Sequence, residues 1–165
     1  MKHFFIIGCL FICAACAQQN ATDKKIVAAL DSLTQQVQQL QKEKYKPGLG
    51  EIMASIQMHH AKLWYAGINS NWKLSAFEID EIKEMLTTAN EIETERPETK
   101  DLPMIYPSID SISLAIKSQS LVAFKKSFLL LTNTCNSCHS ANHFEFNVIT
   151  VPTSPPVSNQ DFRAY

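Results

Sequence analysis

Leu121-Val122-Ala123-Phe124-Lys125-Lys126-Ser127-Phe128-Leu129-Leu130-Leu131-Thr132-Asn133-Thr134-Cys135-Asn136-Ser137-Cys138-His139 is the stretch that decides the fold. Leu121, Phe124, Phe128, Leu131, Cys135 and His139 recur at spacings of three and four, which puts them on one face of an α-helix. A helix is predicted over residues 120–141. Its inward face ends in Cys135-Asn136-Ser137-Cys138-His139, so the chemistry sits at one end of an amphipathic helix.

Upstream, the same periodicity repeats. Residues 102–118 carry Ile105, Ile109, Ile112 and Ile116 on one face, and Pro107 either kinks this helix or marks its true start. The turn Ser118-Gln119-Ser120 follows it. Residues 72–93 place Leu74, Phe77, Ile82, Met85, Leu86, Ala89 and Ile92 in a broad stripe. Thr94-Glu95-Arg96-Pro97-Glu98-Thr99-Lys100 reads as a charged loop broken by proline. Residues 49–67 align Leu49, Ile52, Met53, Ile56, His60, Leu63, Trp64 and Gly67, with Gly67 suited to a C-terminal cap and Asn71 to capping the next helix. The expected fold is all-α. Residues 48–142 would form a four-helix up-down bundle, because similar amphipathic helices with short connections pack that way. Pro152, Pro155 and Pro156 exclude regular helix from residues 143–165, which are expected to form an extended strap.

Toward the N-terminus, residues 24–44 set Ile26, Leu30, Leu33, Val37 and Leu40 in an apolar heptad seam of about two heptads. The seam suits a helical stalk or the zipper of a homodimer. Residues 1–15 have the pattern of an export signal: Lys2, then the apolar run Phe4 to Ile12, then small residues. Cys13-Ala14-Ala15-Cys16 resembles the bacterial lipoprotein box, in which the last cysteine is lipidated. The resemblance implies lipidation of Cys16, residues 16–47 as tether and stalk, and a periplasmic protein held to the membrane by a lipid anchor. Cleavage after Ala17 is the rival reading and would give a soluble periplasmic protein.

Lys and Arg total 15 against 16 Asp and Glu, mixed along the chain, so no basic stripe exists for nucleic-acid phosphates. Four glycines and few β-branched runs argue against an all-β fold. With Cys9 and Cys13 leaving in the leader and Cys16 carrying lipid, Cys135 and Cys138 are the cysteines left to the domain.

C-x-x-C-H reads as a site for covalent haem attachment. Two thiols add to the two vinyl groups of the porphyrin, and the adjacent His139 reaches iron as proximal ligand. A dithiol redox motif would want a βαβ context, zinc would want a second ligand pair, and a disulfide three residues apart in a helix is awkward. One haem c on Cys135, Cys138 and His139 is the expectation.

A C-x-x-C-H near the end of the last helix of such a bundle resembles the cytochrome c-prime family and its low-spin relatives. His60-Ala61-Lys62-Leu63-Trp64-Tyr65-Ala66-Gly67, Asn71-Trp72, and the tail from Pro152 to Phe162 are similar to small bacterial periplasmic cytochrome-c-like proteins. The resemblance covers roughly residues 48–162 and implies electron transfer or small-ligand binding. Ser140-Ala141-Asn142 stand where cytochromes c-prime often have an arginine, which weighs against a nitric-oxide-binding role.

An electron carrier needs a strong sixth ligand on iron. Antiparallel pairing brings the start of the 49–67 helix beside the end of the last helix, level with His139. Met53 is then the candidate sixth ligand, as low-spin relatives also place a methionine there. His60, roughly 10 Å further along the axis, is the runner-up. Met58 points away from the stripe and His59 lies at its edge, so both are weaker candidates. Buried mid-stripe, His60 is expected to hydrogen-bond Glu78 on the facing helix, with Glu81 or Gln57 completing the set. Three functions compete: an electron carrier with an unknown redox partner, a five-coordinate haem protein that binds a gas, and a haem-bearing accessory subunit of a larger complex. Enzyme activity is not expected.

Overall fold

A computed structural model describes residues 23–41 and 45–165, so the proposed leader and Cys16 lie outside the described residues. All regular structure among the described residues is helical. Helix α1 spans residues 23–41, and α2 to α5 are Leu49–Ile68, Trp72–Ile92, Tyr106–Lys117 and Leu121–Ala141, with a 3-10 helix over Pro97–Ile105. The chain divides into two compact units, Met1–Tyr45 and Lys46–Tyr165. In the first, every residue of α1 is exposed, including Ile26, Leu30, Leu33, Val37 and Leu40 of the heptad seam.

In the second unit α2 packs chiefly against α3 and α4 against α5, and α2 also meets α5. His60 bonds Thr132, the Trp64 ring packs 4.8 Å from Phe128, and Gly67 lies against Phe124. Numbers rise along one helix as they fall along the other, so the two run antiparallel. Ile52, Leu63, Phe124, Phe128 and Leu131 meet Ile79, Ile82 and Leu86 of α3 and Ile109 and Ile112 of α4 in one buried apolar core.

Gly67 is not a cap. It lies inside α2, which continues to Ile68 and is capped by Asn69. A Cβ there would meet the Phe124 ring at 2.0 Å, so the glycine permits the close approach of α5. Gly67→Ala is therefore expected to destabilise the fold by about 1–3 kcal/mol through overpacking, even though alanine favours helix. Urea denaturation checks the sign, and a more stable variant would refute the account.

Asn71 does cap α3, its side-chain oxygen accepting from Leu74 N at 3.2 Å. The inward face of α3 differs from the predicted stripe. Ser75, Glu78, Ile79, Ile82, Leu86 and Ala89 are buried, while Phe77 is 53% exposed. Extended backwards at 3.6 residues per turn, the row through Ala89, Leu86 and Ile82 reaches Ile79, Glu78 and Ser75 and passes Phe77 by.

The 94–100 stretch is not a plain loop, since Pro97 opens the 3-10 helix whose Thr99, Leu102 and Ile105 are buried. Pro107 marks the start of the next helix rather than a kink. It sits in the first turn of α4, where its missing N–H breaks no helical bond. Beyond α5, residues 143–165 form neither helix nor strand. Asn136 fastens the start of this segment, donating to Ile149 O at 2.8 Å and accepting from Ile149 N at 2.7 Å. Near its end, Phe162 is buried against Tyr65, and Asn71 donates to Arg163 O at 2.9 Å. The tail thus runs from the end of α5 to the α2–α3 turn.

Candidate functional site

A cavity of about 290 Å3, near the lower end of the ~300–1,000 Å3 usual for small-molecule sites, lies where the start of α2 meets the end of α5. Cys135, Cys138 and His139 line it from α5, and Met53, Gln57 and His60 line it from α2. The 3-10 helix and the residue before it add Leu102, Ile105, Glu98 and Arg96. All five side chains that the sequence proposes for this site therefore border one space: two thiols, two imidazoles and a thioether.

The end of α5 is shaped by local chemistry. Asn142 caps the helix, and its side-chain amide donates to Cys138 O and to Asp101 of the 3-10 helix, both at 3.0 Å. His143 takes a left-handed conformation with φ of 64°, where glycine is more usual, and the chain turns back on itself. That reversal carries the carbonyl of Asn147 to 2.7 Å from His139 Nδ1. A carbonyl can only accept, so Nδ1 holds the proton and Nε2 keeps its lone pair. Such a bond fixes both the tautomer and the orientation of an imidazole used as a metal ligand.

Both thiols are free. Burial pushes the Cys135 thiol up to about 12, helped by the neighbouring Cys138. Cys138 is raised by burial and by the charge of Asp101. A thiol held protonated is a weaker nucleophile than its thiolate. Among the described residues, no group of three or more His, Cys, Asp or Glu side chains is gathered to hold a metal ion.

His60 lies one helical face away from its predicted partner. Its Nε2 is 2.8 Å from Thr132 Oγ1, which itself donates to Phe128 O at 2.9 Å. The threonine proton is committed to that carbonyl, so His60 Nε2–H is the donor. Glu78 is completely buried and bonds His59 instead, Nδ1 to Oε2 at 2.7 Å. The expected His60–Glu78 pair is thus wrong by one residue. One step along α2 rotates a side chain by about 100°, from the α5 side to the α3 side. Neither Glu81 nor Gln57 joins the His59–Glu78 pair, and Glu78 Oε1 is buried without a partner.

Burial lowers His60 to about 4. Its folded value lies below its unfolded value near 6.5, so the unfolded chain takes up a proton that the folded chain refuses. Stability is expected to fall as pH drops from about 6.5 toward about 4, by on the order of 3 kcal/mol through this group, and to level off below. His60→Gln, which can still donate to Thr132, should flatten that slope in urea titrations at stepped pH. An equally steep slope in the variant would exclude His60 as its source.

The donor set present is the one a haem c would use. Two thiols one turn apart border an apolar cavity, beside an imidazole with a free nitrogen. Sequence reasoning missed Asn142 and Asn147. Asn142 gave a usable signal, because asparagine is common at helix ends. Asn147 gave none, because it acts through its backbone carbonyl, which any residue possesses. Compared with protein families, with curated proteins and with solved structures, the chain matches none.

Proposed function

We propose that the chain is an exported c-type cytochrome carrying one haem on Cys135 and Cys138, with His139 on iron, and that it transfers electrons. The observation that carries this reading is the hydrogen bond from His139 Nδ1 to Asn147 O, which leaves Nε2 free as a ligand beside two thiols on an apolar cavity. When bound, the haem supplies a one-electron couple.

The chain's own residues supply the rest. Asn147 orients His139 through its carbonyl, and Asn142 ties the cysteine turn to the 3-10 helix. Ile56, Leu86, Leu102 and Ile105 give the cavity an apolar wall that would shield a bound haem from water. Met53 is the proposed sixth ligand. Its place on the cavity supports that role, as does the engagement of His60 Nε2 with Thr132, which leaves His60 only Nδ1 to offer.

The finer architecture belongs to the same reading. Helices α2 to α5 form an up-down four-helix bundle, the arrangement of the cytochrome c-prime family that the C-x-x-C-H residues resemble. Lipidation at Cys16 holds the protein at the periplasmic face of a membrane, where it meets a redox partner. Haem staining of the exported protein on a denaturing gel tests the reading. A stained band is expected, and an unstained wild type overturns it.

A further inference from the structure

Arg96 and Glu98 bring charge to a cavity whose wall is otherwise largely apolar. Their placement follows from the sequence. Pro97 restricts the residue before it to extended backbone, and Arg96 has φ of −82° and ψ of 121°. Thr99, itself buried, returns to the Arg96 carbonyl, donating from Oγ1 at 2.7 Å and from N at 3.3 Å. The backbone of Arg96 is held firmly while its side chain reaches the cavity rim.

The ion pair is incomplete at both ends. Arg96 donates from one terminal nitrogen to Glu98 Oε1 at 2.9 Å, which spends one of the five N–H groups of a guanidinium. Glu98 Oε2 is buried and accepts nothing. Among the described cavity-lining residues, Arg96 is the one Lys or Arg. A guanidinium with unspent donors matches a planar carboxylate as a two-pronged fork. On a haem, the propionates leave from the edge opposite the vinyl groups. The α5 wall that carries Cys135 and Cys138 therefore cannot also receive them.

Resting on the haem reading above, we infer that Arg96 binds a haem propionate at the rim beside the 3-10 helix, with Glu98 holding the guanidinium in place. Arg96 is thus a cofactor-binding residue, and it also adjusts the iron couple. Reduction adds an electron, and a nearby cation favours the reduced form.

The test is an equilibrium redox titration, together with resonance Raman of the propionate bending band, on the full-length haem-loaded protein. Arg96→Gln should lower the potential and shift that band. Arg96→Lys should keep the potential near wild type and still shift the band, because an ammonium cannot form the fork. Glu98→Gln loosens the guanidinium and should shift the same band, which provides a reading even if Arg96→Gln fails to fold; an unmoved band in both variants overturns the proposal. A potential and a band that are both insensitive to Arg96→Gln overturn the proposal. So does a potential that moves while the band stays, since Arg96 would then act only through its field. An unstained wild type removes the haem reading and this one with it. A stained wild type with an insensitive Arg96→Gln removes this one alone.

Discussion

Cys135→Ala combined with Cys138→Ala is expected to abolish haem staining completely. Each thioether needs one thiol, and these two lie one helical turn apart on the cavity side of α5. The double variant should still fold around Phe124, Phe128 and Leu131, which are buried further back along the same helix. Retained helical circular dichroism with no stain separates loss of attachment from loss of the chain. Stain that survives in the double variant would sink the attachment site.

Met53→Ala is expected to change the iron from low spin to high spin and to open it to carbon monoxide. A thioether on iron gives a low-spin spectrum with a weak far-red band and raises the potential. Alanine leaves that position vacant. His60→Ala should cost stability, because it strips a buried imidazole from Thr132 and from the Phe128 ring 4.4 Å away, but it should leave the spin state alone. The reverse pattern, with a silent Met53→Ala and a spectrum altered by His60→Ala, would transfer the sixth position to His60. A wild type already in the high-spin state would refute both assignments and favour the gas-binding class.

The elements were legible from the sequence where apolar residues recur over several turns. Helices α2, α3 and α5 begin and end within about two residues of their predicted bounds, because a 3.6-residue stripe is a property of the chain itself. Local signals also held where one residue acts on its own backbone, as Asn71 does at the start of α3. Reading failed where a residue is apolar yet exposed. Glu78 lies inside, as expected, but Phe77 lies outside, because the face of α3 is set by the row through Ile79, Ile82 and Leu86 and not by the polarity of each residue.

The site divides the same way. The C-x-x-C-H residues declare themselves by spacing, since the chemistry they suit depends on neighbours in one helical turn. The depth of Met53 followed from helix rise once antiparallel pairing was expected, and both Met53 and His60 share the cavity with His139. By itself the sequence determined the bounds of α2, α3 and α5 and where the thiols and imidazole stand along the last of them. Only the tertiary structure decided that His59 and not His60 meets Glu78, that Gly67 makes room for Phe124, and that Asn147 orients His139. The reason is physical. Periodicity records how a helix faces its own axis, whereas these three contacts depend on its rotation and closeness against neighbours far away in the chain.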